Sequence, residues 1–160
     1  MGRNAGGVRA ILLDKDDEVV SMELDKEQTR KMLVITENGF GKRTPLAEYR
    51  LQTRGGKGVA TYDKTKFGKT GLLVGASIVS EDDEVMLINS NGVIIRIRAN
   101  EVSTSGRTTQ GVKVMKVDKG NSIVSFAKVV DEDAAEKKNQ SAEPANPNIG
   151  ADGNEQMTLV

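Results

Sequence analysis

Apolar positions in this chain occur in short runs of Val, Ile and Leu, which Gly, Asn and Asp interrupt. Runs of branched aliphatic residues between turn-forming residues are typical of β-strands. The pattern therefore predicts an all-β fold, with strands near Val8–Leu13, Glu18–Leu24, Lys31–Thr36, Phe40–Thr44, Val59–Tyr62, Leu72–Val79, Glu84–Ile88, Val93–Arg98, Val112–Val117 and Ser122–Val130.

Turn signals divide these strands. Asn38-Gly39 and Asn91-Gly92 each lie between apolar segments, and Asn-Gly supplies the positive φ of a type I′ turn, so we predict two hairpin tips there. Leu46–Tyr49 and Ala99–Val102 follow the hairpins at matching positions, and we expect each to form a single helical turn.

One basic, glycine-rich motif occurs three times in the sequence. Residues 2–9 read GRNAGGVR, residues 53–60 read TRGGKGVA and residues 106–113 read GRTTQGVK, with Arg-to-Arg steps of 51 and 53 residues. A second feature keeps the same period, since LVITENGF at 33–40 returns as MLINSNGV at 86–93. Two independent features with one period indicate a repeat protein.

The repeat unit has the size of a propeller blade, with about four antiparallel strands in about fifty residues. The stretches 3–53 and 54–106 look complete, whereas 107–130 supplies only two predicted strands. About two and a half blades cannot close into a ring. We therefore expect residues 1–130 to be an incomplete, propeller-like array. Either the chain is a fragment of a longer array, which we favour because the ends lack adapted capping units, or it oligomerises.

The net charge of zero conceals two oppositely charged parts. Residues 1–130 hold 21 Lys/Arg and 16 Asp/Glu, a net of +5, and residues 131–160 hold 2 and 7, a net of −5. Such asymmetry often accompanies nucleic-acid binding. Because the segment 131–160 is polar and has no apolar period, we predict an acidic, disordered tail.

Several catalytic chemistries are disfavoured. The chain has no Cys and no His, which excludes thiol chemistry, His-based triads and zinc sites built on these residues. Gly68-Lys69-Thr70 is not a P-loop, because position 63 is Asp and a strand is predicted to follow. No spacing matches a calcium loop. We expect no catalytic residue, no metal site and no independent enzymatic activity, and we find no membrane or export segment.

The repeated motif is the strongest candidate site. Its glycines permit tight turns and expose amide N–H groups, and its cations can bind phosphate. Those cations are Arg3, Arg9, Arg54, Lys57, Arg107 and Lys113. One copy per blade suits a long polyanion, and with only 3% aromatic residues duplex DNA is a better ligand than a stacked single strand. The alternative is that the copies are blade connectors whose glycines serve only turn geometry.

One copy also carries a family resemblance. Gln52-Thr53-Arg54-Gly55-Gly56-Lys57-Gly58 closely resembles the Gln-Arg-Arg-Gly-Gly-Lys-Gly box of the DNA gyrase A subunit. Glu48–Leu51, Met86–Ile97 and Gly106–Lys113 look like the last blades of that subunit's C-terminal domain, over roughly residues 1–130. Two features depart from the family: Thr53 replaces the second basic residue of the box, and the family's defining box lies in the first blade.

The resemblance implies a β-pinwheel that binds and wraps duplex DNA in a bacterial, cytoplasmic enzyme. The DNA-binding residues it implies are Gln52, Arg54, Gly55, Gly56, Lys57 and Gly58. It also implies that this wrapping supports ATP-driven negative supercoiling by a heterotetramer of gyrase A and gyrase B subunits. The catalytic tyrosine and the ATP and Mg sites belong to other parts of that assembly, so this part holds no cofactor. Two alternatives stay open: the corresponding domain of topoisomerase IV, and a propeller scaffold that binds protein.

Overall fold

Two antiparallel sheets make up the computed structural model, which describes residues 2–25 and 30–129. The first sheet has the strand order β3-β1-β2-β6 and the second has the order β5-β4-β7. The strands are β1 (Lys31–Thr36), β2 (Phe40–Pro45), β3 (Leu73–Val79), β4 (Glu84–Asn89), β5 (Ile94–Arg98), β6 (Val112–Lys113) and β7 (Ile123–Lys128). A short helix α1 (Phe67–Thr70) and the 3₁₀ turns Leu46–Glu48, Lys64–Lys66 and Ala99–Glu101 connect them.

Strands from later in the chain complete each sheet. The hairpins β1–β2 and β4–β5 are the repeated centres, and β3 pairs with β1 while β7 pairs with β4. Strand β6 follows the second hairpin but returns to the first, where Lys113 lies opposite Phe40 and Val112 opposite Gly41. The predicted all-β, propeller-like fold is confirmed, and this late return of β6 is the strand exchange expected of a pinwheel.

The core lies where the two hairpins face each other. Alternating positions of β1 and β4 supply its centre, with Leu33, Ile35, Val85 and Leu87 all fully buried. The same cluster contains Val79, Ala99, Val102, Met115 and Ile123. Burial of one large aliphatic side chain contributes about 1.5–3 kcal/mol, so this shared cluster is the main source of cohesion between the hairpins.

Both predicted hairpin tips are present, but their turn type differs from the prediction. The N–H groups of Gly39 and Gly92 donate to the carbonyls of Thr36 and Asn89, each at 3.0 Å. Positive φ occurs at Gly39 and Gly92 and not at the preceding asparagines. A type I′ turn needs positive φ at both central residues, so that prediction is wrong. The loop of the first hairpin instead has three residues, 37–39, and the last of them, Gly39, adopts the left-handed conformation.

Three predicted strands are absent from the part of the chain that the structure describes. Residues 8–13, 18–24 and 59–62 form no ladder, and Ile11 makes only an isolated parallel bridge to Gly56. In the repeat, Val8 and Val59 correspond to Val112, whose strand pairs with β2. No hairpin strand lies beside either residue among those described, so the strand-like composition lacks a pairing partner. The predicted strand at 112–117 shortens to β6 for a related reason: only two residues face β2.

The remaining local predictions agree with the structure. The expected helical turns after the hairpins are the 3₁₀ turns at 46–48 and 99–101. The predicted acidic tail at 131–160 lies outside the described residues. Within the described ranges, no helix is both long enough and apolar enough to cross a membrane.

Candidate nucleic-acid interface

Hydrogen bonds connect the second copy of the motif to the segment that directly follows the first copy, and the third copy to the second. The N–H of Gly55 donates to the Ala10 carbonyl at 2.8 Å, and the N–H of Leu12 donates to the Gly56 carbonyl at 2.9 Å. Between the second and third copies, the Arg107 guanidinium donates to the Ala60 carbonyl at 2.5 Å. We call residues 2–9, 53–60 and 106–113 the motif series. Its order along the molecule follows its order in the sequence.

Each copy places a left-handed glycine directly before its valine. The φ angles of Gly7, Gly58 and Gly111 are 74°, 76° and 76°. At Gly111 the backbone also approaches another strand, because a Cβ there would lie 2.4 Å from the Gly41 carbonyl oxygen. All three glycines therefore shape their turns, and Gly111 also permits the β2–β6 contact, as the connector interpretation requires.

Three arginines of the motif series are open to an incoming ligand. Arg3, Arg9 and Arg54 are exposed, and none makes an ion pair with another described residue. An exposed guanidinium can bind phosphate through two parallel N–H donors. Lys113 is also exposed, with its Nζ 5.5 Å from the centre of the Phe40 ring.

The other two motif cations already have partners. Lys57 Nζ lies 2.7 Å from a carboxylate oxygen of Asp14. This hydrogen-bonded ion pair raises the pKa of Lys57 and lowers the pKa of Asp14. Both side chains are more than half exposed, and exposed pairs of this kind contribute little to stability. Arg107 is half-buried and directs its guanidinium to Ala60, so part of its donor capacity is structural.

Several polar groups of the box at residues 52–58 already form hydrogen bonds with other residues of the chain. The Gln52 side-chain amide donates to the backbone carbonyl of Leu51 at 3.0 Å. The Gly55 N–H is bonded to Ala10, and the Gly56 carbonyl accepts from Leu12. Gly58 has the positive φ described above and stands before Val59. In this arrangement Arg54 is the exposed cation of the box that has no ion pair within the described residues, whereas Lys57 is paired with Asp14.

A buried lysine, missed by the sequence analysis, organises the third copy. Lys42 of β2 is fully buried, and its ammonium donates to the backbone carbonyls of Gly106 at 3.1 Å, Thr109 at 3.0 Å and Arg107. The same ammonium lies 4.4 Å from the centre of the Tyr62 ring. Burial lowers the pKa of Lys42 to about 8, with Glu48 opposing the change and Arg107 adding to it.

Two further contacts fix the same segment against the first hairpin. The Glu48 carboxylate accepts from the Arg107 N–H at 3.1 Å. The Thr44 hydroxyl donates to the Ser105 carbonyl at 2.9 Å. The third copy therefore has a defined backbone conformation before any ligand binds. Preorganisation of this kind reduces the entropic cost of binding.

Arg43 joins the two hairpins next to this segment. Its Nε donates to the Val102 carbonyl at 2.7 Å, and its guanidinium pairs with Glu81 at 2.5 Å. Lys31 pairs with the other oxygen of Glu81, also at 2.5 Å. Hydrogen bonds from Arg43 and then Lys31 lower the pKa of Glu81 to about 2. The sequence pattern did not identify Arg43 or Glu81 as a link between the two hairpins.

Strand-exchanged sheets, a fifty-residue period and a basic motif at each unit define a repeat protein of the β-propeller class. The chain belongs to the family described as the DNA gyrase C-terminal domain, beta-propeller, whose family model matches residues 1–24, 30–80 and 83–130. The family resemblance expected from residues 52–58 and the motif copies is confirmed.

Individual relatives and structures agree with this assignment. The DNA gyrase A subunit of Staphylococcus epidermidis is 42% identical over 134 residues, covering 83% of this chain and 15% of that protein. The chain thus spans about 15% of the length of that gyrase protein. A structure of a DNA gyrase A C-terminal domain is 34% identical, with a TM-score of 0.61 over 65% of this chain and 35% of that one.

A topoisomerase IV domain shares the fold. The C-terminal domain of DNA topoisomerase IV superposes with a TM-score of 0.74 over 86% of this chain and 43% of that one, at 23% sequence identity. At that level of identity the likeness concerns the fold alone.

Proposed function

We propose that this chain binds duplex DNA through the motif series. The observation that carries the proposal is the series of hydrogen bonds that connects the copies in sequence order. Gly55 bonds to Ala10, which directly follows the first copy, and Arg107 of the third copy bonds to Ala60 of the second. This arrangement places the cationic turns next to one another in the order of the sequence. A long polyanion can contact all of them, whereas a small ligand contacts only one.

The chemistry of the surface suits a phosphate backbone. Arg3, Arg9 and Arg54 are exposed and lack ion-pair partners within the described ranges. Contacts from such side chains to phosphate position DNA without reading its bases. Lys57 adds a fourth contact when it exchanges Asp14 for a phosphate, and because an exposed ion pair contributes little stability, that exchange costs little.

We further propose that the bound duplex is wrapped as part of a gyrase-type topoisomerase, in support of negative supercoiling. Membership of the gyrase C-terminal family supports this role, as does the identity to the gyrase A protein of Staphylococcus epidermidis. In this proposal the protein partners are the gyrase B subunit, together with the rest of the gyrase A subunit. ATP, Mg and the catalytic tyrosine act in those other parts, in a bacterial cytoplasm.

A salt titration tests the binding itself. Fluorescence anisotropy with a labelled duplex gives the affinity at each salt concentration, and neutralising Z phosphates gives a log–log slope of about −0.9Z. We expect a steep negative slope and equal affinity for a duplex of scrambled sequence. A slope near zero, or no binding at low salt, would contradict the proposal and favour a protein-binding scaffold.

A further inference from the structure

A cleft of about 400 Å³ lies beside the third copy of the motif. Three lysines from separate segments line it: Lys69 at the end of α1, Lys113 of β6 and Lys119 in the turn before β7. Lys69 and Lys119 belong to no copy of the motif. We call this feature the lysine cleft.

The Phe40 ring holds two of these lysines at the lysine cleft. Lys69 Nζ lies 5.7 Å and Lys113 Nζ 5.5 Å from the ring centre, distances at which cation–π attraction acts. The ring itself is only 9% exposed, so it is a fixed anchor. Two ammonium groups are therefore directed to one small region in the absence of any ligand.

The positive charge of the lysine cleft is poorly compensated. Neither Lys69, Lys113 nor Lys119 forms an ion pair within the described part of the chain. Asp118 is the one acidic residue among the described residues that line the cleft. A bound anion would relieve the repulsion between the ammonium groups, and each of these groups has N–H donors for it.

The walls of the lysine cleft are held in place by backbone contacts. The Asn38 side chain donates to the Lys69 carbonyl at 2.9 Å, which ties α1 to the tip of the first hairpin. On the other side, the Asn121 N–H donates to the Asp118 carbonyl at 3.0 Å, and Gly120 has a φ of 89°. The turn that carries Lys119 is therefore ordered, and the three lysines converge from fixed supports.

The second hairpin lacks the aromatic anchor of the lysine cleft. With the 53-residue offset between the hairpins, Val93 stands in the place of Phe40. The strands that follow the hairpins keep an offset of 50 residues, since Leu73 pairs with Thr36 and Ile123 with Asn89. Lys119 therefore stands in the place of Lys69, and the cleft combines the two equivalent lysines with Lys113 at the end of the third copy.

We propose that the lysine cleft binds phosphodiester groups of the same duplex as it leaves the third copy of the motif. This inference rests on the proposed DNA binding and adds Lys69 and Lys119 to its contact surface. The ammonium groups act as point charges towards phosphate oxygens, so the cleft contributes affinity without base specificity.

The test compares two variants of equal charge in the same 160-residue chain. The first is Lys69→Ala with Lys119→Ala, the two lysines of the cleft that lie outside the motif series. The control is Lys64→Ala with Lys66→Ala, two exposed lysines that do not line the cleft. We expect the log–log salt slope of the cleft variant to become shallower by about 0.9 for each phosphate that is no longer neutralised. The control should keep the slope of the unaltered chain.

The outcomes separate the two proposals. If both variants bind as the unaltered chain does, the lysine cleft is not a DNA contact, although the proposed function stands. If the unaltered chain itself does not bind duplex, the proposed function fails and this inference fails with it. Thermal unfolding of both variants shows whether any loss of affinity comes from loss of fold.

A second arm identifies the source of the phosphate. Amide chemical shifts of Lys113 and Gly120 are followed while duplex DNA or inorganic phosphate is added. We expect the duplex to shift both signals at concentrations where inorganic phosphate leaves them unchanged. Saturation by inorganic phosphate, with no effect of duplex, would assign the cleft to a small anion and overturn the inference.

Discussion

The ammonium of Lys42 and the backbone carbonyl of Thr109 are joined by a 3.0 Å hydrogen bond, although 67 residues separate them in the chain. Lys42 belongs to the buried face of β2, and Thr109 lies inside the third copy of the motif. The bond therefore links the protein core directly to the proposed DNA-binding surface. It also explains how a glycine-rich loop keeps one conformation without a following helix.

Replacing Lys42 with Met should destabilise the chain and loosen this loop. The substitution keeps the apolar stem but removes the ammonium donor from the carbonyls of Arg107 and Thr109, whereas the Gly106 carbonyl still accepts from Thr109. An unsatisfied buried polar group costs about 1–3 kcal/mol, and we expect a loss of about this size in urea unfolding. Amide exchange at residues 107–109 should accelerate. Lys116→Met is the matched control on an exposed lysine, and equal stability of the two variants would show that Lys42 has no such role.

The titration of Lys42 provides an independent check. Its pKa of about 8 means that the folded chain releases this proton at lower pH than the unfolded chain, whose lysine has a pKa of 10.5. The unfolded state then binds more protons between these values, so this group makes stability rise with pH in that window. We expect the free-energy difference between the unaltered chain and Lys42→Met to grow from about pH 8 to about pH 9.5. A Lys42 side-chain NMR signal that titrates near the ordinary value of 10.5 would refute the assignment.

Two glycines at equivalent hairpin tips should respond differently to alanine. Gly39 and Gly92 have φ angles of 80° and 79°, so both substitutions place a side chain in the left-handed region at about 1–2 kcal/mol. A Cβ at Gly39 would also lie 2.1 Å from the Met115 carbonyl oxygen, whereas at Gly92 nothing lies within 4 Å. Thermal melting should therefore show a clearly larger loss for Gly39→Ala, and equal losses would contradict the packing described for the first hairpin.

The ion pair between Arg43 and Glu81 predicts that folding stability decreases in a particular acidic pH range. The pKa of Glu81 is about 2 in the folded chain, against an ordinary value of 4.5. A carboxylate with a lowered pKa stabilises the fold above its unfolded pKa, and this contribution diminishes as the pH falls from about 4.5 to about 2. The stability advantage of the unaltered chain over Glu81→Gln should shrink across that range. Asp82→Asn serves as control, because Asp82 is an exposed neighbour without an ion pair in the described ranges. A stability difference between the unaltered chain and Glu81→Gln that does not change with pH would contradict the proposed role of the ion pair.

Local features were predictable from the sequence because they depend on neighbouring residues. Strands β1, β4 and both hairpin tips follow from short-range apolar patterns and from glycine at the turns. The predicted strands at 8–13, 18–24 and 59–62 fail because a strand also needs a partner, and apolar composition does not show whether one lies alongside. Ser21 illustrates the result: its hydroxyl accepts a hydrogen bond from the Ala76 N–H at 3.1 Å, where a ladder was expected.

The candidate site divides in a similar way. The sequence repeat assigns six cations to one recurring motif, but only tertiary contacts decide which of them already have partners. Lys57 meets Asp14, and Arg107 meets Ala60. Lys42 was missed because a lysine within a predicted strand is expected to be exposed to solvent. Its three carbonyl partners belong to residues 106–109, which are distant in the sequence.

The most direct test of the central claim removes the three exposed arginines of the motif series. Arg3→Ala, Arg9→Ala and Arg54→Ala are combined, since none of these side chains has an ion pair to lose within the described residues. The control combines Lys15→Ala, Lys64→Ala and Lys66→Ala, which remove the same charge from exposed positions outside the motif. Duplex affinity is measured across a salt series for both. We predict a slope shallower by about 0.9 for each phosphate that the arginines neutralise, in the arginine variant alone; identical slopes for the variant, the control and the unaltered chain would contradict a DNA interface built on the motif series.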